Sequence, residues 1–108
     1  MWPPGPVAVV TGSSLELTPD PGGTTRSAVL AEFDGVEVGV WEIDPGADED
    51  VEVDEVVVVL SGRATIDVAG QPTVHVGPGD IVRLHAGTAT TWTVTERLRK
   101  VYVSLGAT

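Results

Sequence analysis

The fold is decided by residues 54–87, DEVVVVLSGRATIDVAGQPTVHVGPGDIVRLHAG. Val56–Leu60 is a continuous apolar run of strand length, which predicts a strand buried on both faces and ended by Ser61-Gly62. Apolar and polar residues alternate in Ala64–Val68, so this segment is predicted to turn one face towards a core. Glycine and proline mark three turns, at residues 69–72, 77–80 and 86–87. This stretch therefore predicts a series of short strands.

Further strands are predicted on both sides of this stretch. Val36–Ile43 is rich in β-branched and aromatic residues, and Thr88–Thr95 and Lys100–Val103 have similar compositions. Thr25–Phe33 is interpreted as a strand, with one helical turn as the alternative. Seven or more strands with turns every 8–12 residues are typical of a β-sandwich or a closed barrel.

The chain of 108 residues has the length of one domain with one core. Residues 1–27 are predicted to be an N-terminal arm and a first short strand packed on a barrel of residues 28–108. Three of the eight prolines lie in residues 1–14, and Leu15-Glu16-Leu17 has the weak alternation of a short strand.

Composition excludes several classes of function. A net charge of −10 repels a phosphate backbone, so no nucleic-acid partner is expected. No apolar run is long enough for a membrane span, and the N-terminus lacks the pattern of a secretory signal. We therefore expect no membrane partner and a cytoplasmic location. The absence of cysteine excludes disulfides and thiol nucleophiles.

Charge is distributed unevenly along the chain. Eight of the 16 acidic residues lie in residues 42–55, and four of the six basic residues lie in the last 26. The acidic stretch between Glu42 and Glu55 is interpreted as a loop that faces water. The alternative is that this segment meets the basic C-terminal part, within one chain or across a dimer.

Two segments carry a resemblance to a known family. The first joins WEIDPG at residues 41–46 to DEVVVVLSG at 54–62, and the second joins VGPGDIVRLHAG at 76–87 to TWTV at 91–94 and RKVYV at 99–103. Together they resemble the cupin superfamily, and most of all the small single-domain cupins related to ureidoglycine aminohydrolase and to ethanolamine-utilisation cupin domains. The resemblance implies an all-β, single-domain jelly-roll barrel of the RmlC-like type, commonly a homodimer.

Metal-binding cupins share two motifs, which this chain keeps only in part. Glu55 and Gly62 have the spacing of the glutamate and glycine of the first motif, but its two histidine slots fall within residues 48–51. In the second motif, Thr90 stands at the histidine slot and His85 at the proline slot. Transition metals need converging imidazoles and carboxylates, so no metal or other cofactor is predicted.

A weaker alternative is a divalent metal held by hard oxygen ligands, such as Mn, Mg or Ca. Its candidate ligands are Glu55 with Glu49, Glu52 or Asp54, and in addition His85.

Alternation along barrel strands predicts which side chains face the lumen. If Glu55 faces inwards, so does Val57, and if Thr90 does, so does Trp92. The resemblance implies that Lys100 and Tyr102 also line the pocket. The predicted ligand-binding residues are Trp41, Glu55, Val57, His85, Thr90, Trp92, Lys100 and Tyr102.

Three functions remain open. The first is a cupin that binds a small polar metabolite in its barrel. The second is an enzyme that acts on a small amide, ureido or sugar-like substrate, through an atypical metal or through acid–base chemistry by Glu55, Lys100 and Tyr102. The third is a structural or partner-binding domain whose barrel is filled by its aromatic rings, with Glu55 and Lys100 as an internal ion pair.

Overall fold

The computed structural model describes residues 2–105, and every regular element in this range is a β-strand. The strands are β1 (Thr18–Pro19), β2 (Thr25–Phe33), β3 (Val36–Ile43), β4 (Gly46–Val51), β5 (Glu55–Asp67), β6 (Val74–Val76), β7 (Ile81–Leu84) and β8 (Ala89–Leu105). All paired strands are antiparallel, which confirms the all-β prediction. Residues 2–105 include no helix of the length and hydropathy that crossing a membrane requires.

Two long strands, β5 and β8, connect the halves of the structure. The C-terminal half of β8 pairs with β3 and with the start of β5, whereas its N-terminal half pairs with β4 and with the end of β5. β1 and β2 extend the first half beyond β3, while β7 and β6 pair with the two ends of β5. Each long strand therefore supplies residues to both halves of the fold.

β5 continues where the sequence predicted an end. Ser61-Gly62 does not stop it, because the β5–β8 pairing shifts register between Val59 and Ala64 and then resumes. Such bulges let a strand bend without ending. Likewise, the two segments predicted as Thr88–Thr95 and Lys100–Val103 form the single strand β8.

An apolar core lies between the two halves. Its buried members come from five of the eight strands: Ile43, Val57, Val59, Ala64, Ile66, Val76, Leu84, Trp92, Val94 and Leu98. The prediction that Val56–Leu60 is buried on both faces is wrong. Val57 and Val59 are buried, but Val56 is 38% exposed because alternate residues of β5 face away from the core.

Three other predictions can be compared with the structure. Thr25–Phe33 is a strand, as interpreted, and it begins before the predicted barrel boundary at residue 28. The predicted strand at Leu15–Leu17 is wrong, because the short strand is Thr18–Pro19, which pairs with Ser27 and Arg26. The acidic loop is also wrong in part: residues 46–51 form β4, which pairs along the N-terminal half of β8.

A cluster of ionic contacts fastens the N-terminal arm (residues 2–17) to the sheet. Glu42 accepts hydrogen bonds from Arg26 Nε at 3.0 Å and from Arg99 Nε at 2.8 Å. Arg99 Nη1 also donates to the carbonyl oxygens of Gly12 and Leu15, at 2.9 and 2.8 Å. The acidic segment thus meets the basic C-terminal part within one chain, which confirms that alternative.

Candidate ligand-binding site

A cavity of about 320 Å³ lies between the two halves of the fold. Its aromatic and charged lining residues come from strands β3, β4, β5 and β8 and from the loop between β4 and β5. They are Trp41, Asp48, Asp50, Glu52, Glu55, Trp92, Lys100 and Tyr102, and the remaining lining residues are Ile43, Val53, Val94 and Ser104. The volume is at the lower end of the range for small-molecule sites, roughly 300–1,000 Å³.

Strand alternation explains why these side chains converge. On β8, Lys100, Tyr102 and Ser104 are two residues apart and therefore point to one face. Trp41 of β3 is the cross-strand neighbour of Lys100, and Asp48 of β4 is the neighbour of Trp92. The cavity is therefore built on paired strands, which hold its side chains at fixed positions.

Lys100 occupies the centre of the site. Its Nζ lies 3.5 Å from Glu55 Oε1, 4.7 Å from the ring centroid of Trp41 and 5.0 Å from that of Trp92. Aromatic faces attract cations at such distances. The side chains of Lys100 and Glu55 are only 12% and 13% exposed. The ammonium is therefore held by one carboxylate and two indole rings.

Glu52 orients the side chain of Trp92, which lines the cavity next to Lys100. Glu52 is buried, and its Oε2 accepts hydrogen bonds from Thr90 Oγ1 at 2.5 Å and from Trp92 Nε1 at 3.1 Å. These bonds orient the indole ring of Trp92 within the cavity. Buried charge-assisted hydrogen bonds of this kind are stronger than neutral ones.

Burial raises the pKa of several lining groups. It raises the pKa of Glu55, an effect that the ammonium of Lys100 opposes only in part. Burial, together with the negative charges of Asp50 and Glu52, also raises the pKa of Asp48. The pKa of Tyr102 is raised by burial and by the hydrogen bond that its hydroxyl donates to Glu37 Oε2 at 2.7 Å.

The cavity brings together most, but not all, of the predicted ligand-binding residues. Five of them line it: Trp41, Glu55, Trp92, Lys100 and Tyr102. Val57 lies in the fully buried core, and Thr90 donates its hydroxyl to Glu52 without lining the cavity. His85 is exposed in the connection between β7 and β8, outside the cavity.

Acidic residues of β4 and of the connection that follows it are the part of the site that the ligand-binding prediction missed. Asp48, Asp50 and Glu52 line the cavity and Glu49 does not, although Asp50 is exposed as Glu49 is. The expectation that this segment faces water is therefore right for Glu49 and wrong for Glu52. The two-residue spacing of Asp48, Asp50 and Glu52 is the sequence signal for this face, but acidic residues are uncommon in strands, which favours a loop instead.

The lining does not fit the metal site of metal-binding cupins. Glu55, the retained carboxylate of the first motif, faces the ammonium of Lys100, and Thr90 at the histidine slot is bonded to Glu52. In the described residues, no three acidic or histidine side chains converge in a way that could hold a metal ion. Of the alternative carboxylate ligands, Glu52 lines the same cavity as Glu55, whereas Glu49 is exposed and Asp54 pairs with Arg83.

Solved structures with the same fold include two proteins named EutQ. The putative ethanolamine utilization protein Q of Salmonella typhimurium LT2 matches at 20% identity with a TM-score of 0.80, over 100% of this chain and 94% of that one. The EutQ protein of Clostridium difficile matches at 16% identity with a TM-score of 0.76, over 94% and 81% of the two chains. These similarities confirm the predicted cupin jelly-roll fold.

Sequence comparison identifies the family. A structural genomics protein of unknown function from Rhizobium leguminosarum is 27% identical, with a TM-score of 0.71 over 79% of this chain and 84% of that one. No curated protein sequence matches the chain. The family model of the EutQ-like cupin domain matches residues 30–102, well over half of the chain. This protein therefore belongs to the EutQ-like cupin domain family.

Proposed function

We propose that this cupin domain binds a small polar metabolite in the cavity around Lys100. The observation that carries the proposal is the cavity of about 320 Å³, which stays open although Trp41, Trp92 and Tyr102 all line it. Apolar walls with a few converging polar groups are typical of small-molecule sites. A barrel filled by its own rings, the third function considered above, would leave no such space.

The contacts among the lining residues also favour binding. Glu52 holds the indole of Trp92, and Glu55 holds the ammonium of Lys100, before any ligand enters. Side chains that are already fixed lose little conformational entropy on binding, so more of the contact energy contributes to affinity.

A bulky side chain at the cavity entrance is expected to abolish ligand binding. Val53 lines the cavity yet is 36% exposed, so the ring of a Val53→Trp variant can block the opening without overfilling the core. Saturation-transfer NMR with a mixture of small polar metabolites is expected to detect binding to the wild type. The variant should bind the same compound at least about tenfold more weakly, because about 1.4 kcal/mol of lost contacts is enough for that change.

Val51→Trp is the matched control for this test. Val51 is 64% exposed, lies two residues away and does not line the cavity, so its variant should bind as the wild type does. Circular dichroism verifies that both variants are folded. Equal binding by wild type and Val53→Trp, or no binding to the wild type by any compound in the mixture, would contradict the proposal.

An acid–base enzyme remains the second candidate. The raised pKa of Glu55 and its contact with Lys100 favour proton transfer by this pair. The hydroxyl of Tyr102 is instead engaged by Glu37, so a catalytic role for Tyr102 has less support. Catalysis by Glu55, Lys100 and Tyr102 therefore stays a prediction.

We further propose that the domain forms a homodimer through the outer face of β2, β3, β5, β7 and β8. Five exposed apolar residues lie there: Phe33, Val56, Ile81, Val103 and Leu105. Exposed apolar surface of this kind marks interaction sites. In a chain of net charge −10, a second copy can approach without strong repulsion only on a face of low charge.

Sedimentation velocity tests this proposal. The wild type is expected to sediment as a dimer, and Val103→Glu as a monomer, because the charge would be buried at the interface without a partner. Val74→Glu is the control, since Val74 is also half exposed but belongs to β6. A wild type that is monomeric at about 100 µM would rule the dimer out, because its association free energy would then be weaker than about −5.5 kcal/mol.

A further inference from the structure

The charges in the cavity do not balance. Four carboxylates and one ammonium line it, and the ammonium of Lys100 is already paired with Glu55. In residues 2–105, no lysine or arginine nitrogen lies within 4.0 Å of a carboxylate oxygen of Asp48, Asp50 or Glu52. Three carboxylates therefore line the cavity without a basic partner, of which Asp50 is also exposed and accepts a hydrogen bond from the backbone N–H of Val51.

Ser104 gives a second, independent sign of a missing ligand. It is 3% exposed and lines the cavity, yet its hydroxyl makes no side-chain hydrogen bond within the described part of the chain. No fully enclosed side-chain oxygen or nitrogen in residues 2–105 lacks a partner, so Ser104 Oγ must be open to the cavity. A buried hydroxyl that lacks a protein partner is stabilised only by a bound molecule or by water.

One carboxylate oxygen of Glu52 also lacks a hydrogen-bond donor among the described residues. Glu52 Oε2 accepts both hydrogen bonds, from Thr90 and Trp92, and the described residues offer no hydrogen bond to Oε1. Because Glu52 is 7% exposed and lines the cavity, this oxygen is available to a group inside it. A carboxylate left in this state gains most from a positively charged donor.

We propose that the ligand is a small organic cation whose ammonium group is bound by Asp48, Asp50 and Glu52, with a polar group near Ser104. This inference rests on the proposed ligand-binding function and names the chemical class of its ligand. An ammonium would also relieve the repulsion by Asp50 and Glu52 that contributes to the raised pKa of Asp48.

Other ligand classes fit the lining less well. An anion would find Lys100 neutralised by Glu55 and enclosed by two indole rings, and it would be repelled by three carboxylates. A metal ion would find no convergent set of three ligands in the described residues. An ammonium group needs only hydrogen-bond acceptors in reach, which this arrangement supplies.

Three probes of nearly equal size test the charge of the ligand: n-propylammonium, propionate and 1-propanol. Each is titrated at constant ionic strength while the indole N–H signal of Trp92, whose Nε1 donates to Glu52, is followed by NMR. We expect saturable shifts with n-propylammonium, and binding at least about tenfold weaker for propionate and 1-propanol, the ratio that loss of a charge-assisted contact produces.

Two neighbouring residues of β4 provide the variant and its control. Asp48→Asn removes a charge inside the cavity and is expected to weaken n-propylammonium binding about tenfold. Glu49→Gln removes the same charge from the exposed face of the same strand and should change binding less than about twofold, because water screens exposed charges. Equal losses in the two variants would overturn the assigned site.

The outcomes separate the two proposals. Tighter binding of propionate or 1-propanol, or of a metabolite without positive charge, would overturn the cationic ligand and leave the binding function standing. Failure of all three probes, and of the metabolite mixture, would overturn both proposals. Binding of n-propylammonium that Asp48→Asn weakens and Glu49→Gln does not would support both.

Discussion

Gly62→Ala is expected to destabilise this protein by about 4 kcal/mol, at the upper end of the range for single substitutions. Gly62 lies in the β5 bulge with a φ of +90°. A Cβ placed there would overlap the carbonyl oxygen of Arg97 and lie 2.7 Å from Leu98 Cα. Both contacts are with backbone atoms, which cannot rotate away as a side chain would. Urea denaturation followed by circular dichroism measures the loss.

Gly70→Ala separates this crowding from backbone strain. Gly70 has a φ of +78°, but a Cβ at this position would meet nothing within 4 Å. Its replacement is therefore expected to cost only about 1–2 kcal/mol, the strain of a left-handed residue. If the two variants lost equal stability, the close approach of β8 to Gly62 would not be the cause. The result also explains the glycine of the first cupin motif in this chain, since a bend in β5 and its contact with β8 both require it.

Glu42→Gln is expected to destabilise the protein by about 3 kcal/mol, because removal of one partner from a buried ion pair leaves the others uncompensated. Glu42 and Arg99 have side chains only 11% and 13% exposed. Arg99 also holds the carbonyl oxygens of Gly12 and Leu15, so we expect the N-terminal arm to become more accessible to proteases. The control is Glu96→Gln. Glu96 and its partner Arg63 are 64% and 66% exposed, and loss of such a pair costs at most about 1 kcal/mol.

Glu42→Gln should also change how the stability of the protein responds to acid. Burial by itself would raise the pKa of Glu42, but the hydrogen bonds from Arg99 and Arg26 outweigh it and hold the pKa below its ordinary value of 4.5. A carboxyl whose pKa falls on folding stabilises the folded state above its unfolded pKa, and this contribution is lost as the pH falls through the folded pKa. The stability difference between wild type and Glu42→Gln should therefore be constant near neutral pH and shrink below about pH 4.5. A difference that is unchanged at pH 3 would contradict this account.

Local patterns were sufficient to predict the strands and the inward-facing side chains of the C-terminal part. Alternation predicted that Trp92 faces inwards and that Lys100 and Tyr102 share one face, while the family resemblance predicted that this face lines the cavity. The same reasoning failed at Ser61-Gly62. A glycine can end a strand or bend it, and only the partner strand, here Arg97 and Leu98 of β8, decides between these outcomes.

The acidic part of the site could not be predicted for a different reason. Strand β4 exists because it pairs with the N-terminal half of β8, not because of the intrinsic preference of its residues. Asp48 and Asp50 gain their positions from that long-range pairing. The contact of Glu52 with Trp92 joins residues 40 positions apart, which no local pattern shows.

The length of β8 has a further consequence for how this domain can evolve. One unbroken strand of 17 residues carries Trp92, Lys100, Tyr102 and Ser104, all at even-numbered positions. Successive residues of a strand face opposite sides. Inserting or deleting one residue between Trp92 and Lys100 would therefore turn either Trp92 or the group of Lys100, Tyr102 and Ser104 out of the barrel. A new ligand preference can therefore arise readily by substitution at even positions of β8, but hardly by changes in its length. Related domains are expected to differ in loop lengths while they keep this spacing.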